Sequence, residues 1–268
     1  MQHLLVKIRC NDCIFVKNEV MVSKNSNPMK EFLSDYLKYV TTSNLETGDF
    51  AGPVVTISRQ TGCSAQRIAI KLSKILTGYS YMSDTKTDAE WQWADKEVFS
   101  RTVEEIRREL KASQEENPEM CERLNQVAKA FSKEKFKADV DAQAIAILKD
   151  VICKLAIAGR YIIVGRGATN ILADLPNKLS IRLEAPLEWR INRVAQLKNM
   201  SHLEAEEFVI NADRKRCQFT EAVIGRTYEN TDFDIIFNYA SLPDDQIVDA
   251  IVNVLKNKKI ISGGEEYY

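Results

Sequence analysis

VVTISRQTGCSAQRIA, residues 54–69, joins a β-branched run to an amphipathic one through a glycine turn. VVTIS at 54–58 has the composition of a short buried strand, and Ile68, Leu72, Ile75 and Leu76 recur at helical spacing and predict one buried helix face. Between them lies ISRQTGCSAQR, where a phosphate-binding loop would sit. In such a loop backbone N–H groups and the positive end of the helix dipole surround phosphate oxygens, and a lysine and a hydroxyl complete the site. Against G-x-x-x-x-G-K-[ST], Arg59 stands at the first glycine, Ser64 at the second, Ala65 at the lysine and Gln66 at the Ser/Thr, with Gly62 the glycine that remains. Spacing alone leaves two readings open, a phosphate loop and a plain strand-to-helix turn. On the first, the candidate phosphate contacts are Arg59, Thr61, Gly62, Cys63, Ser64, Ala65, Gln66 and Arg67.

The rest of the chain repeats the strand-then-helix rhythm. YIIVGRG at 161–167 reads as a buried strand ending in a Gly-Arg-Gly turn, with SIRLE at 180–184 and FDIIFN at 233–238 as further strands. Helices are expected at about 186–199, 203–217 and 243–257, and residues 98–158 are mostly helical. Three stripes mark that helical region: Phe99, Val103, Ile106 and Leu110; Met120, Leu124, Val127 and Phe131; and Val140, Ala144, Ile147, Val151 and Leu155. Short apolar strands alternating with amphipathic helices imply a mostly parallel sheet covered on both faces. Ligands in such folds sit at the carboxyl ends of the strands, so the loops after Ser58, Val164 and Glu184 are the ones to watch.

Ahead of this unit, Met29, Phe32, Leu33, Tyr36 and Val40 predict a helix over 28–40, and the apolar runs 3–9 and 14–22 suit a small hairpin or an added edge strand. The polar connection TTSNLETGDFAGP separates the two parts. The expected organisation is an N-terminal extension over 1–47, a principal domain over 53–257 and a frayed tail over 258–268.

The 268 residues carry 37 Lys+Arg against 38 Asp+Glu, a formal charge of -1, so no bulk field draws the protein to nucleic acid or an anionic membrane. Anion binding must be local. No apolar run approaches the roughly 20 residues of a membrane helix, and Lys7, Arg9 and Asp12 interrupt the first segment as no secretory signal would. Six scattered cysteines in a long chain fit a reducing cytoplasm better than a disulfide scaffold. Cys10-x-x-Cys13 lacks a second pair, and His3 and His202 have no ligand spacing with it, so no metal site is assigned.

VVTISRQTGCSAQRIA, DKEVF at 95–99, IIVGRGATNIL at 162–172, LEAPLEWRINRV at 183–194, DRKRCQF at 213–219 and FDIIFN together resemble, in order, the cytidylate kinase-like family. The resemblance spans about residues 53–257. It implies an α/β, three-layer α/β/α P-loop NTPase fold, with a mostly parallel core sheet, a helical acceptor region near 95–158, a lid near 195–230 and a small N-terminal extension. Members typically carry a Gly-Ser-Gly-Gly type of loop followed by a basic residue. Ala65 therefore departs from true kinases in a way the family shares, and Cys63, Ser64 and Ala65 depart further.

The implied chemistry is transfer of the γ-phosphate of ATP, with Mg²⁺ held mainly by phosphates and water, to a nucleoside monophosphate, CMP or dCMP by default. Phosphoryl transfer needs two nucleotides in line and positive charge around the moving group. Arg166, after a buried strand and between two glycines, would grip an acceptor phosphate; its plain alternative is a surface-turn arginine. Arg190 and Arg193 lie three apart on one helix, with Leu187, Ile191 and Val194 as its buried stripe, and Arg214 and Arg216 resemble lid arginines. Together they are the candidate catalytic cations, Arg193 and Arg216 foremost, against the alternative of a solvated basic face. Asp95 suits an acceptor contact or a helix N-cap equally. Arg67 either substitutes partly for the lysine or faces solvent, and Trp91 and Trp93 either stack on a base or pack. The rival from another class is a nucleotide-binding sensor or interaction module without turnover, in which Ala65 marks the lost lysine; a kinase with a non-nucleotide acceptor is a third reading.

Overall fold

The computed structural model describes residues 27–38, 52–82, 90–113, 117–132 and 141–261. Within them five strands, β1 (Val54–Arg59), β2 (Gln92–Ala94), β3 (Tyr161–Val164), β4 (Lys178–Glu184) and β5 (Ile235–Asn238), form one parallel sheet in the order β2-β3-β1-β4-β5. Strand β1 takes the centre. Val54, Val55, Thr56 and Ile57 have essentially no exposure, which requires partners on both edges and helices on both faces.

Nine helices are described: α1 (Pro28–Lys38), α2 (Ala65–Met82), α3 (Lys96–Ser113), α4 (Pro118–Ser132), α5 (Ala142–Ala158), α6 (Ala168–Ile171), α7 (Leu187–Lys198), α8 (His202–Ile224) and α9 (Asp244–Asn257). On one sheet face Val55 and Ile57 pack with Ile68 and Leu72 of α2 and Ile251 of α9. On the other, Val54 and Ile163 join Leu33, Phe99, Phe131, Leu148 and Leu155 from α1, α3, α4 and α5. Phe99 and Phe131 stack with centroids 3.8 Å apart, and burying each such ring is worth about 1.5–3 kcal/mol. Thr56, the polar residue of the central strand, is satisfied there: its hydroxyl lies 2.9 Å from that of Thr169 and 3.2 Å from that of Ser180.

The three-layer α/β/α architecture with a parallel core sheet expected from sequence is therefore present, and register sets its working edge. Ile57 lies opposite Val164 on β3 and Ile181 on β4, so the segments after Arg59, Val164 and Glu184 open side by side. Strands β1, β3, β4 and β5 and all the long helices fall where periodicity puts them.

Three details differ. β2 has no counterpart among the expected strands, since three residues are too few for a period; Trp93 lies within it and Trp91 is buried beside it. Ile75 and Leu187, expected in buried stripes, are 38% and 43% exposed because they sit at the margins of their helix faces. Helix α8 runs to Ile224 instead of about 217, continuing the buried stripe through Phe219 and Val223 until Gly225 stops it at φ +80. The 3–9 and 14–22 runs, Val40, Val140 and the last seven residues lie outside the described residues.

No helix among the described residues is long and apolar enough to cross a membrane.

Candidate functional site

Gln60–Ser64 connects β1 to α2 at the working edge. The Gln60 N–H donates to Leu183 O at 3.0 Å and its side-chain oxygen accepts from the Ala185 N–H at 3.0 Å, pinning the loop to the end of β4. Inside it, the Cys63 N–H donates to Gln60 O and the Ala65 N–H to Cys63 O. Gly62 has φ +94, and a β-carbon there would come within 3.2 Å of Arg190 Cβ, so conformation and space both demand glycine. Cys63 is buried, and burial pushes its thiol up to about 11, which makes it neutral packing and not a nucleophile. Ala65 is buried and places no cation in the loop. Arg67 does not substitute for one: it is ion-paired at 2.8 Å with Asp244 at the start of α9, its side chain largely in solvent. Gln66 is exposed.

Cations instead reach the loop from α7 and α8, and a carboxylate organises them. Asp213 accepts from the Thr61 N–H at 2.7 Å, the Thr61 hydroxyl at 2.6 Å, Arg190 Nη1 at 2.6 Å and Arg216 Nη1 at 3.3 Å. Arg190 is buried and also donates to Ala185 O at 3.0 Å and Thr61 O at 3.3 Å, the multiple partnering a desolvated guanidinium requires. Arg216 donates to Thr61 Oγ1 at 2.7 Å; burial pulls its guanidinium below the ordinary value, with Asp213 opposing. Arg193 donates to Ser64 Oγ at 3.2 Å and lies over the rings of Trp189, 5.1 Å, and Tyr239, 5.4 Å. Thus Arg190, Arg193 and Arg216 converge on residues 61–64. Arg214 is exposed and lines no part of the site.

Beside the loop opens a cleft of about 850 Å³ between the sheet edge and α8. Its floor is the turn Gly165-Arg166-Gly167, three successive residues at positive φ, which lets the chain leave β3 and start α6 within one turn. Arg166 lies over the Phe219 ring at 4.6 Å. Arg59, grouped by sequence with the phosphate loop, instead extends over this turn: a β-carbon on Gly165 would overlap its Nη1. Burial, then the charges of Arg216 and Arg166, draw the Arg59 guanidinium down to about 10, while Asp95 and Glu97 act in opposition. Asp95 accepts from the Val98 N–H at 2.8 Å and so caps α3; burial raises its carboxyl above the ordinary range despite that bond. Arg59, Arg166 and Arg216 therefore share one wall with Asp95 and Glu97 beside them.

Three cleft residues escaped sequence reading. Arg182 of β4 is buried, ion-paired to Glu184, and donates to Ser58 Oγ at 3.3 Å and Tyr228 Oη at 2.9 Å, lying over the Tyr228 and Phe233 rings at 4.4 and 5.2 Å. The signal was present: Ser180, Arg182 and Glu184 alternate along an otherwise apolar strand, marking a polar face inside the protein. Tyr228 and Phe233 carried none.

Among the described residues no three His, Cys, Asp or Glu side chains gather as around a resident metal ion, and Asp213, the carboxylate at the loop, already has four donors. The described residues thus offer no protein-held Mg²⁺ site at this loop.

The model of the cytidylate kinase-like family matches residues 54–241, from β1 to just past β5. Among solved structures, an uncharacterized protein from Eubacterium ventriosum superposes with a TM-score of 0.51 at 17% identity over 76% of this chain and 98% of its own, a likeness of fold. A shikimate kinase from Bacteroides thetaiotaomicron aligns at 16% identity over 76% of this chain and 96% of its own, with a TM-score of 0.40. No curated protein matches the chain significantly in sequence.

Proposed function

This chain belongs to the cytidylate kinase-like family, and from there we propose that it transfers the γ-phosphate of ATP to a nucleoside monophosphate, CMP or dCMP by default. One observation carries the reading: five guanidinium groups gather at the working edge, Arg190, Arg193 and Arg216 on the 61–64 loop and Arg59 and Arg166 at the Gly165–Gly167 turn, and Arg59, Arg166 and Arg216 line the cleft. Two anionic groups bound there, one at the loop and one at the turn, would have positive charge around the phosphoryl group that moves between them. Arg166 and Arg59 hold the acceptor phosphate, Arg193 and Arg216 stabilise the charge that develops on transfer, and Arg190 keeps the loop in place. Mg²⁺ arrives with the donor, held by its phosphates and water. A reducing cytoplasmic setting suits the free thiols of Cys63, Cys121, Cys153 and Cys217.

A second reading, a nucleotide-binding module without turnover, draws on Ala65 at the lysine position and on Arg67 being committed to Asp244. The deciding experiment incubates the protein with ATP, Mg²⁺ and a panel of ribo- and deoxyribonucleoside monophosphates, with Arg166→Ala alongside. Selective diphosphate formation lost in the variant supports the kinase and identifies its acceptor. Binding of ATP without any diphosphate product supports the module.

A further inference from the structure

Every group around the Asp213 carboxylate is a donor: the Thr61 N–H, the Thr61 hydroxyl, Arg190 and Arg216. Two guanidinium groups meet one carboxylate there, and Arg193 stands next to it at Ser64, so the cluster keeps a surplus of positive charge with Asp213 in place. Such a set is built for an anion bearing several oxygens, and the protein's own side chain has taken it.

We propose that the Thr61, Arg190 and Arg216 donors form an oligophosphate-binding site that Asp213 occupies in the free protein, so that a ligand phosphate and the Asp213 carboxylate exchange on the same donors. The Thr61 N–H has one hydrogen and gives it to Asp213 at 2.7 Å, so both anions cannot use it together. Access exists, because Asp213 and Arg216 both line the cleft and their side chains are 28% and 41% exposed. Mobility is available too. Helices α7 and α8 pack on each other through Ile191, Val194, Ala205 and Val209, a cluster separate from the two main cores; α8 joins one main core through its last two turns, at Phe219, Ala222, Val223 and Ile224, and α7 touches the other through Trp189 in its first turn. The middle of α8, which bears Asp213, contributes no residue to either core, so it can shift about the anchored last turns of the helix. The consequence is regulation: the resident carboxylate lowers the apparent affinity for phosphate ligands by the fraction of molecules in which it has let go.

This deepens the phosphotransferase reading and rests on it only for the identity of the ligand, so the test uses inorganic tripolyphosphate. Calorimetric titration of wild type and Asp213→Asn should show about tenfold tighter binding to the variant, which keeps the side-chain shape and loses the competing charge. Equal or weaker binding by Asp213→Asn, or no binding to either protein, would overturn the proposal. Asp213→Ala supplies a second arm: acetate added to it should refill the vacated donors and weaken tripolyphosphate binding, while wild type is indifferent to acetate. Acetate without effect on the variant also overturns it. If both arms succeed and no nucleoside monophosphate is phosphorylated, the exchange stands and the kinase reading falls; turnover without tightening in Asp213→Asn gives the reverse.

Discussion

Gly165 presents its bare α-carbon to the Arg59 guanidinium so closely that any β-carbon would overlap Nη1. The glycine at the end of β3 thus serves the arginine at the end of β1, and the pairing of those strands brings them together. Gly165→Ala must displace Arg59 and also hold alanine at φ +77, an unfavourable conformation worth about 1 kcal/mol before any clash. A loss of about 2–3 kcal/mol in urea unfolding is expected, with a raised KM for the acceptor and an unchanged KM for ATP. Gly78 is the contrasting case: it lies in α2, and a β-carbon added there would meet nothing within 4 Å, so Gly78→Ala should stabilise by about 0.5–1 kcal/mol.

Buried Arg190 and part-exposed Asp213 form an ion pair beneath the loop, 2.6 Å apart. Removing Asp213 leaves the buried Arg190 guanidinium without its carboxylate, whereas removing Arg190 leaves Asp213 with Thr61 and Arg216, so Asp213→Asn should cost more stability than Arg190→Met. The double variant Arg190→Met/Asp213→Asn should cost less than the sum of the single changes, because neither charge is then left alone. A double-mutant cycle by chemical denaturation reads the coupling directly, and additive losses would show that the pair is not coupled.

Much of this arrangement was legible in the sequence, and the boundary of legibility is physical. Local periodicity located β1, β3, β4 and the long helices, because a buried strand and an amphipathic helix each write their burial into neighbouring residues. Gly165-Arg166-Gly167 was recognisable as a tight turn for the same reason. What stayed hidden was created by contacts distant in sequence: Asp213 reads as part of a basic helical run until α8 lays it on Thr61, and Arg59 reads as a loop residue until β3 places Gly165 beneath it. β2 is too short for any pattern. Arg182 is the instructive intermediate, since its alternation with Ser180 and Glu184 was visible and points to a buried polar face.

The loop and the Gly165–Gly167 turn predict separable kinetic effects. Arg166→Ala should raise the acceptor KM while leaving ATP affinity alone, and Arg193→Ala, whose side chain reaches Ser64, should weaken ATP with little effect on the acceptor. Each removes charged hydrogen bonds worth about 1.5–3 kcal/mol, a factor of about ten to a hundred. Because Arg193 lies over Trp189, ATP binding should also perturb tryptophan emission in wild type and not in Arg193→Ala. Variants that shift both constants equally would argue against this division.

The loop after α8 gives a prediction in acid. Arg226 grips Asp232 through two bonds, 2.5 and 3.0 Å, and holds the turn that carries Tyr228 and Phe233 against Arg182. That bond to Arg226, reinforced by the Glu229 N–H, lowers the Asp232 carboxyl to about 2. A carboxyl with a depressed folded-state pKa stabilises the fold above its unfolded value, about 3.9, and loses that contribution as pH falls through 2. Arg226 is half exposed, so solvent screening keeps the gain small. Urea unfolding of wild type and Asp232→Asn from pH 6 down to 2 should therefore show a constant gap above about pH 4 that narrows toward pH 2. A gap that persists at pH 2 would mean that the Asp232 charge is not what holds this turn.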